Sequence, residues 1–164
     1  MKKVAVLVVA LALVGGAVGW AFAAVPPPGN VISTVGTESF QANTLIQATF
    51  RWDPGSVDVR SGHNLQFVYN NEGHDPHTIS IVNKDQLPTT VQQVFNCKVC
   101  NKIFKFQDGH TRVLGPDGGF NQFGDTIFFP PGTTTSVKVT APAGTTLYFM
   151  CAIHPWMQGT IYVR

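Results

Sequence analysis

The chain has 164 residues and a net charge of +2, with 12% charged residues, 16 glycines and 11 prolines. This length suits a single domain with a full core, and the small charge without any long basic run argues against a nucleic-acid partner. Many turn-forming residues beside few charged ones are typical of an all-β fold.

The N-terminal end is predicted to be a targeting segment. A short basic start is followed by apolar residues 4–20 and by Ala-Phe-Ala at 21–23, which matches a signal-peptide cleavage site. The apolar run is also long enough to span a bilayer. Two alternatives therefore stay open, a signal peptide over residues 1–23 or an uncleaved membrane anchor through residues 4–25. Both predict an exported protein, periplasmic or on the extracytoplasmic face of the membrane.

Residues 24–44 are predicted to be a spacer followed by a loosely packed N-terminal arm. The prolines at 26–28 make a stiff, extended chain, and few apolar positions recur between 31 and 44. The folded domain is accordingly predicted to cover residues 45–164.

From residue 45 the chain contains short segments in which apolar and polar residues alternate, separated by turns rich in Gly, Pro and Asn. The predicted strands are 45–52, 57–59, 65–69, 77–82, 126–129, 134–139, 147–151 and 160–163. Strands at this spacing predict an all-β sandwich of two sheets with about seven to eight strands.

Residues 84–124 interrupt this pattern over a length too great for an ordinary connection. Five phenylalanines predict that this insertion folds onto the sandwich, and residues 91–95 and 102–106 are predicted to pair as a small hairpin. Its Cys97-x-x-Cys100 motif has three interpretations: a local disulfide, free thiols, or a second metal site with His110. An exported protein favours the disulfide. The lack of a βαβ pattern around the motif argues against a thioredoxin-like redox role.

Near the C-terminus, Cys151, His154 and Met157 lie within seven residues. One Cys, two His and a weak axial Met are the ligand set of blue-copper sites, whereas zinc sites use Cys, His and carboxylate without Met. A second His must then come from elsewhere in the chain. The alternative is purely structural, with a buried thiol and a methionine that fills a gap in the core.

The two-residue period of the strand before this loop places Cys151 on the same face as Leu147 and Phe149. The thiol is therefore predicted to point into the core. Met150 points the other way, which leaves Met157 as the candidate axial ligand. Cys151 is also the odd cysteine when the other two pair, and metal ligation accounts for an unpaired thiol in an exported protein.

The pattern Cys-x-x-His-Pro-Trp-Met-x-Gly-x-Ile-x-Val at 151–163 resembles the C-terminal end of a cupredoxin of the plastocyanin and amicyanin type. From residue 50, Phe-x-Trp-x-Pro-x-x-Val-x-Val-x-x-Gly-x-x-Leu-x-Phe followed by His77-Thr78-Ile79 resembles the family's approach to its first copper histidine. The resemblance implies a Greek-key β-sandwich and makes His77 the missing ligand. His74, in a turn before Pro76, and His63, beside a glycine, compete less well because a ligand at the head of a strand is better fixed.

The resemblance further implies one type 1 copper ion held by His77, Cys151, His154 and Met157. The chain departs from the family pattern at Thr78, where many members have an Asn that braces the cysteine loop. The hydroxyl of Thr78 is able to make one equivalent hydrogen bond.

The implied function is one-electron transfer between redox partner proteins, such as a cytochrome, an oxidase or a dehydrogenase, by a monomer that is not an enzyme. An apolar patch with Pro155 and Trp156 is the implied electron port, and the lysines of the insertion would steer an acidic partner. The alternative function is copper storage or delivery in the cell envelope.

Overall fold

The computed structural model describes residues 30–71 and 74–164. The predicted signal or anchor segment, residues 1–23, and the proline-rich spacer up to residue 29 lie outside the described residues. Of the helices in these ranges, none combines the length and the apolar character that crossing a membrane requires.

Twelve strands and two α-helices make up the described part of the chain. In chain order they are β1 (Val31–Val35), β2 (Glu38–Gln41), β3 (Leu45–Ala48), β4 (Arg51–Asp53), β5 (Ser56–Val59), β6 (Asn64–Tyr69), β7 (His77–Val82), α1 (Val91–Phe95), α2 (Lys98–Gln107), β8 (Arg112–Val113), β9 (Thr126–Phe129), β10 (Thr134–Lys138), β11 (Thr146–Met150) and β12 (Gln158–Val163).

Most of these strands form two sheets that enclose one apolar core. The first sheet has the order β10-β6-β1-β4 and the second the order β5-β12-β11-β7-β9-β8. Phe67 of the first sheet and Phe149 of the second meet edge to face, with ring centroids 5.7 Å apart. Alternate residues of each strand face this core, as the two-residue period requires. The predicted all-β sandwich is confirmed, with more and shorter strands than expected.

The predicted N-terminal arm is wrong for residues 31–35, which form strand β1 inside the first sheet. This strand pairs with β6 in parallel and with β4 antiparallel. Ile32 and Thr34 are both fully buried. Because Thr34 is polar, the sequence does not show the apolar alternation that a buried strand usually has. The hydroxyl of Thr34 donates to Asn71 Oδ1 (2.5 Å) and accepts from the Asn70 amide (3.0 Å). A buried hydroxyl with both partners costs little in the core.

The strand predicted over residues 45–52 is divided in two. Its first half pairs with β2 in a separate hairpin, and its second half joins the first sheet as β4. Between them Phe50 turns into the core and is fully buried. The hairpin itself is exposed, including the side chains of Phe40 and Ile46.

The hairpin predicted within the insertion is also wrong, because residues 91–95 and 102–106 belong to helices α1 and α2. Thr90 caps α1 by accepting from the Gln93 amide, while the Gln93 side chain accepts from the Thr90 amide. This reciprocal pair is a capping box that the sequence already contained. Along α2 the buried residues recur at helical spacing, at Val99, Cys100 and Ile103.

Helix α2 covers the outer face of the second sheet. Val99, Cys100 and Ile103 pack there with Val82 and Met150 in a second apolar cluster. The insertion thus gives the six-stranded sheet a core on each face, and it lies directly behind the strand that leads into Cys151.

Candidate metal centre

Three strands bring the predicted ligands together. His77 is the first residue of β7, paired opposite Phe129 of β9. Cys151 directly follows β11, which pairs with β7 on one side and with β12 on the other. The loop from Cys151 to β12 is closed by two backbone bonds, from the Cys151 amide to the Met157 carbonyl (2.9 Å) and from the Met157 amide to the His154 carbonyl (2.8 Å). These bonds lie where β11 and β12 meet, and they therefore fix the two ends of the loop.

His77 Nδ1, Cys151 Sγ and His154 Nδ1 form a compact triangle. The two nitrogens are 3.1 Å apart, and each lies 3.8 Å from the sulfur. All three residues are buried. The point equidistant from these atoms lies about 2.1 Å from each, within the range of metal–nitrogen and metal–sulfur bonds of about 2.0–2.3 Å. The three donors thus fit a single ion.

The thiol of Cys151 lies in an apolar pocket but accepts hydrogen bonds from the backbone. The amides of Thr78 and His154 each donate to Sγ at 3.3 Å. Burial raises the pKa of the Cys151 thiol, and these backbone donors oppose the rise in pKa. The metal-free protein therefore keeps the proton on the sulfur, and metal binding has to release it.

Both imidazoles are neutral near pH 7. Burial, followed by the proximity of His154, lowers the pKa of His77 to about 4, and Asp75 opposes this shift. Burial also lowers the pKa of His154, again against the effect of Asp75. Asp75 Oδ2 lies 3.7 Å from His154 Nε2. This carboxylate favours a proton on Nε2, which leaves the lone pair of His154 Nδ1 free for the shared centre.

Aromatic rings surround the two histidines. The rings of Phe50, Trp52 and Tyr69 lie 5.6, 5.9 and 5.6 Å from that of His77, and Phe50 lies 5.1 Å from His154. These side chains come from β4, from β6 and from the residue before β4. They keep the centre apolar and restrict the rotation of both imidazoles.

Thr78, which departs from the family pattern, braces the cysteine loop. Its hydroxyl accepts from the Ala152 amide at 2.7 Å and from the Ser80 hydroxyl at 3.1 Å. Ser80 in turn bonds Thr126 at 2.7 Å. All three hydroxyl side chains are fully buried. A chain of hydroxyls across β7 and β9 thus takes the place of a single amide side chain.

The other predicted residues of this region are placed as follows. Met157 is fully buried in the same core cluster as Cys151. His63 and His74 are exposed, and neither belongs to the cluster.

The two residues of the predicted electron-port patch differ in exposure. Trp156 is 41% exposed, and its ring lies 5.2 Å from that of His154. Pro155 is buried, so within the predicted patch it is the side chain of Trp156 that reaches the surface. The Gln158 amide group donates to the carbonyls of both Pro88 and Pro155 (2.7 and 3.0 Å) and so links the insertion to the loop that follows Cys151.

Two features of the centre were missed in the sequence. The sequence pattern places Phe50 within a strand, yet its ring packs on both histidines and its carbonyl accepts from the Trp156 indole at 3.1 Å. The sequence pattern places Asp75 only in the turn before Pro76. A charged residue before Pro76, two positions from a candidate ligand, was the available signal.

Cys97 and Cys100 are joined by a disulfide. The free cysteine is Cys151. Of the three interpretations of the Cys-x-x-Cys motif, the structure has the local disulfide, at the start of α2.

No protein-family model matches the chain, and no curated protein matches it either. The structure is similar to solved cupredoxins. A purple cupredoxin from Nitrosopumilus maritimus is 12% identical, with a TM-score of 0.44 over 82% of this chain and 98% of that one. Dithionite-reduced auracyanin from Roseiflexus castenholzii is 20% identical, with a TM-score of 0.46 over 82% and 97% of the two chains. Auracyanin A, a blue copper protein from Chloroflexus aurantiacus, is 16% identical, with a TM-score of 0.45 over 82% and 98%.

Proposed function

We propose that this protein is a mononuclear type 1 copper protein that carries single electrons between redox partners outside the cytoplasm. The observation that carries the proposal is the buried triangle of His77 Nδ1, Cys151 Sγ and His154 Nδ1, whose centre lies at metal-bond distance from all three atoms. Met157, buried in the same core cluster as Cys151, would supply a fourth and weaker donor. When bound, a copper ion supplies one-electron exchange between its +1 and +2 states.

The chemistry of the donors favours copper over zinc. A thiolate with two imidazoles and a nearby thioether is a soft, nitrogen-rich set, and carboxylate is absent from the described cluster of His77, Cys151 and His154. The apolar rings around the histidines exclude water, which would otherwise occupy an open position as it does in catalytic metal sites. Electron transfer without catalysis fits such a closed centre.

The chain's own residues limit movement at the centre. His77 is fixed by the β7–β9 ladder, Cys151 by two backbone donors, and the loop by Thr78. Little rearrangement of the donors is then possible when the charge of the centre changes by one. This rigidity is what a rapid electron carrier requires, whereas a storage or delivery site has to open.

His154 and Trp156 are the proposed route to the surface. The Trp156 ring packs on the imidazole and is the exposed part of the loop. We propose that a redox partner protein, such as a cytochrome, an oxidase or a dehydrogenase, docks there briefly on a monomer. Lys98 of the insertion lines the same cavity as Trp156 and would steer an acidic partner.

Export to the periplasm or to the extracytoplasmic face of the membrane is part of the proposal. It is supported by the signal-like residues 1–23 and by the Cys97–Cys100 disulfide, which persists in oxidising compartments. Fractionation of cells that express the full chain tests it, and recovery of the copper-loaded protein in the cytoplasm would contradict it.

The metal proposal is tested by adding Cu(II) to the metal-free protein and recording the visible spectrum. We expect an intense thiolate-to-copper band that Cys151→Ser abolishes. The matched control is the double variant Cys97→Ser and Cys100→Ser, which removes the other two cysteine sulfurs and should retain the band. A faint ligand-field spectrum in the wild type would instead favour copper storage or delivery.

A further inference from the structure

The Cys97–Cys100 disulfide occupies the first turn of α2, a position that the copper proposal does not use. Cys97 is the N-cap residue of this ten-residue helix, and its sulfur accepts from the Cys100 amide at 3.2 Å. Cys100 is only 4% exposed and packs into the outer core, whereas Cys97 is half-buried. The two sulfurs thus differ in access, with Cys97 facing the surface.

Two surface cavities open onto this disulfide. One of about 660 Å³ is lined by Cys97 together with residues of the segment before α1. The other, of about 510 Å³, is lined by both cysteines and has aromatic walls from Phe95, Phe104 and Trp156. Phe95 is 82% exposed. A partner segment laid along these cavities would reach Cys97 without any unfolding of the helix.

The surroundings favour a thiolate at Cys97. Residues 87–107 contain no Asp or Glu and three lysines, of which Lys98 lines both cavities and Lys102 the first. Asp85 is the acidic residue that lines the first cavity. A helix N-terminus and adjacent lysines both lower the pKa of a cysteine, and a stabilised thiolate is a good leaving group in disulfide exchange.

A purely structural role explains the bond less well. A disulfide stabilises a fold more when it closes a longer loop, and this one spans a sequence separation of only three. Helix α2 is already anchored by Val99 and Ile103 in the outer core. The disulfide is therefore placed where it adds little stability and can be reached from solvent.

We propose that Cys97 and Cys100 form a second redox site, which lies at the junction of helices α1 and α2 rather than in a thioredoxin-like βαβ unit and exchanges its disulfide with a dithiol of a partner protein. A thiolate of the partner attacks Cys97 Sγ and forms a mixed disulfide, and the electron pair of the broken bond leaves on Cys100 Sγ, which takes up a proton. The partner's second thiolate then attacks its own first sulfur and releases Cys97 as a thiolate at the helix N-terminus. The partner's dithiol is oxidised by two electrons, and the protein's disulfide is reduced by two.

This site is chemically separate from the copper centre but lies beside it. Cys100 packs in the same cluster as Ala152, the residue after the proposed ligand Cys151. Trp156 lines the cavity that opens on both cysteines. A dithiol partner would therefore contact the metal-binding loop while it exchanges.

The proposal is tested on the full chain carrying Cys151→Ser, so that its outcome does not depend on copper and every thiol counted comes from Cys97 or Cys100. The folded Cys151→Ser protein is incubated with reduced thioredoxin as the dithiol probe. The reaction is quenched with an alkylating reagent, and the mass of the protein is measured by mass spectrometry. We expect two alkylated cysteines while the circular dichroism spectrum stays that of the folded protein. A bond that resists reduction until urea unfolds the chain would overturn the proposal.

Two comparisons keep the test specific. With oxidised glutathione as the probe, Cys97 alone (in Cys100→Ser) should form the mixed disulfide about tenfold faster than Cys100 alone (in Cys97→Ser), because it is more exposed and better stabilised as a thiolate. Equal rates would overturn the assignment of Cys97 as the attacked sulfur.

Lys98→Gln should slow exchange about two- to fivefold, the effect of one exposed charge. Lys105→Gln, which lines neither cavity, should leave the rate unchanged, and equal slowing by both would contradict the role of Lys98.

Discussion

Thr78→Val tests whether the buried hydroxyl chain holds the metal-binding loop. Valine has nearly the shape of threonine, so no cavity forms, but the Ala152 amide loses its partner at 2.7 Å. Ala152 is buried, so no water replaces that acceptor. An unsatisfied buried amide costs about 1–3 kcal/mol. Ser80 keeps its bond to Thr126 and adds little to this cost. The metal-free variant should therefore lose about 1–3 kcal/mol of unfolding free energy.

The measurement is urea unfolding of the metal-free proteins, with Thr126→Val as the matched control. That substitution also removes a buried hydroxyl of the same chain, but it leaves the Ala152 amide paired with Thr78. It should cost less, on the order of 1 kcal/mol. In the copper-loaded proteins Thr78→Val should weaken metal binding about 10–100-fold, as losses around a metal site commonly do. Equal destabilisation by both variants, or unchanged copper affinity in Thr78→Val, would refute the bracing role.

Three further predictions concern the fold and its response to pH. Folding lowers the pKa of His77 from 6.5 to about 4, so the unfolded chain binds more protons in that window. The metal-free protein should then lose about 1–2 kcal/mol between pH 7 and pH 5 in urea titrations, and a flat profile would contradict the buried neutral imidazole. Gly159→Ala should lower the melting temperature, because the added Cβ would clash with the Phe149 ring at a cost of about 1–3 kcal/mol. Gly55→Ala is the control, since a Cβ at that position has open space around it and should be tolerated. Asp125→Ala should cost about 3 kcal/mol in the same assay, because this buried carboxylate accepts from three backbone amides, and a loss below about 1 kcal/mol would reject that role.

The parts of the fold that sequence alone predicts are those where a short run rich in β-branched and aromatic residues is bounded by turn-forming residues. Strands β7, β9 and β11 satisfy this closely enough that their bounds were predicted to within one residue. The short spacing of Cys151, His154 and Met157 carries its own chemistry and needs no tertiary information. His77 is different, because it lies 74 residues away from Cys151. Only the pairing of β7 with β11 brings it to the loop, and the resemblance to a known family supplied that step.

The failures have physical causes at particular residues. Strand β1 was missed because Thr34 is buried through hydrogen bonds that depend on Asn70 and Asn71, which are distant in sequence. The helices of the insertion were missed because residues 91–95 and 102–106 are rich in valine, isoleucine and phenylalanine, which favour strands. Burial of one face of α2 on the sheet overrides that preference, since most helix stability comes from such packing.

The two cores together determine which side chain reaches the metal centre. Met150 lies opposite Ser80 in the β11–β7 ladder, and the neighbouring residues Met150 and Cys151 point into different cores. A slip of one residue in this pairing would exchange them, burying the thiol under α2 and turning the thioether toward His77. If the outer face of the sheet were exposed to solvent, only the packing of the inner core would oppose such a slip in register. Because α2 packs on Met150 there, the register is selected from both faces, and the insertion contributes to the metal centre without touching its donors.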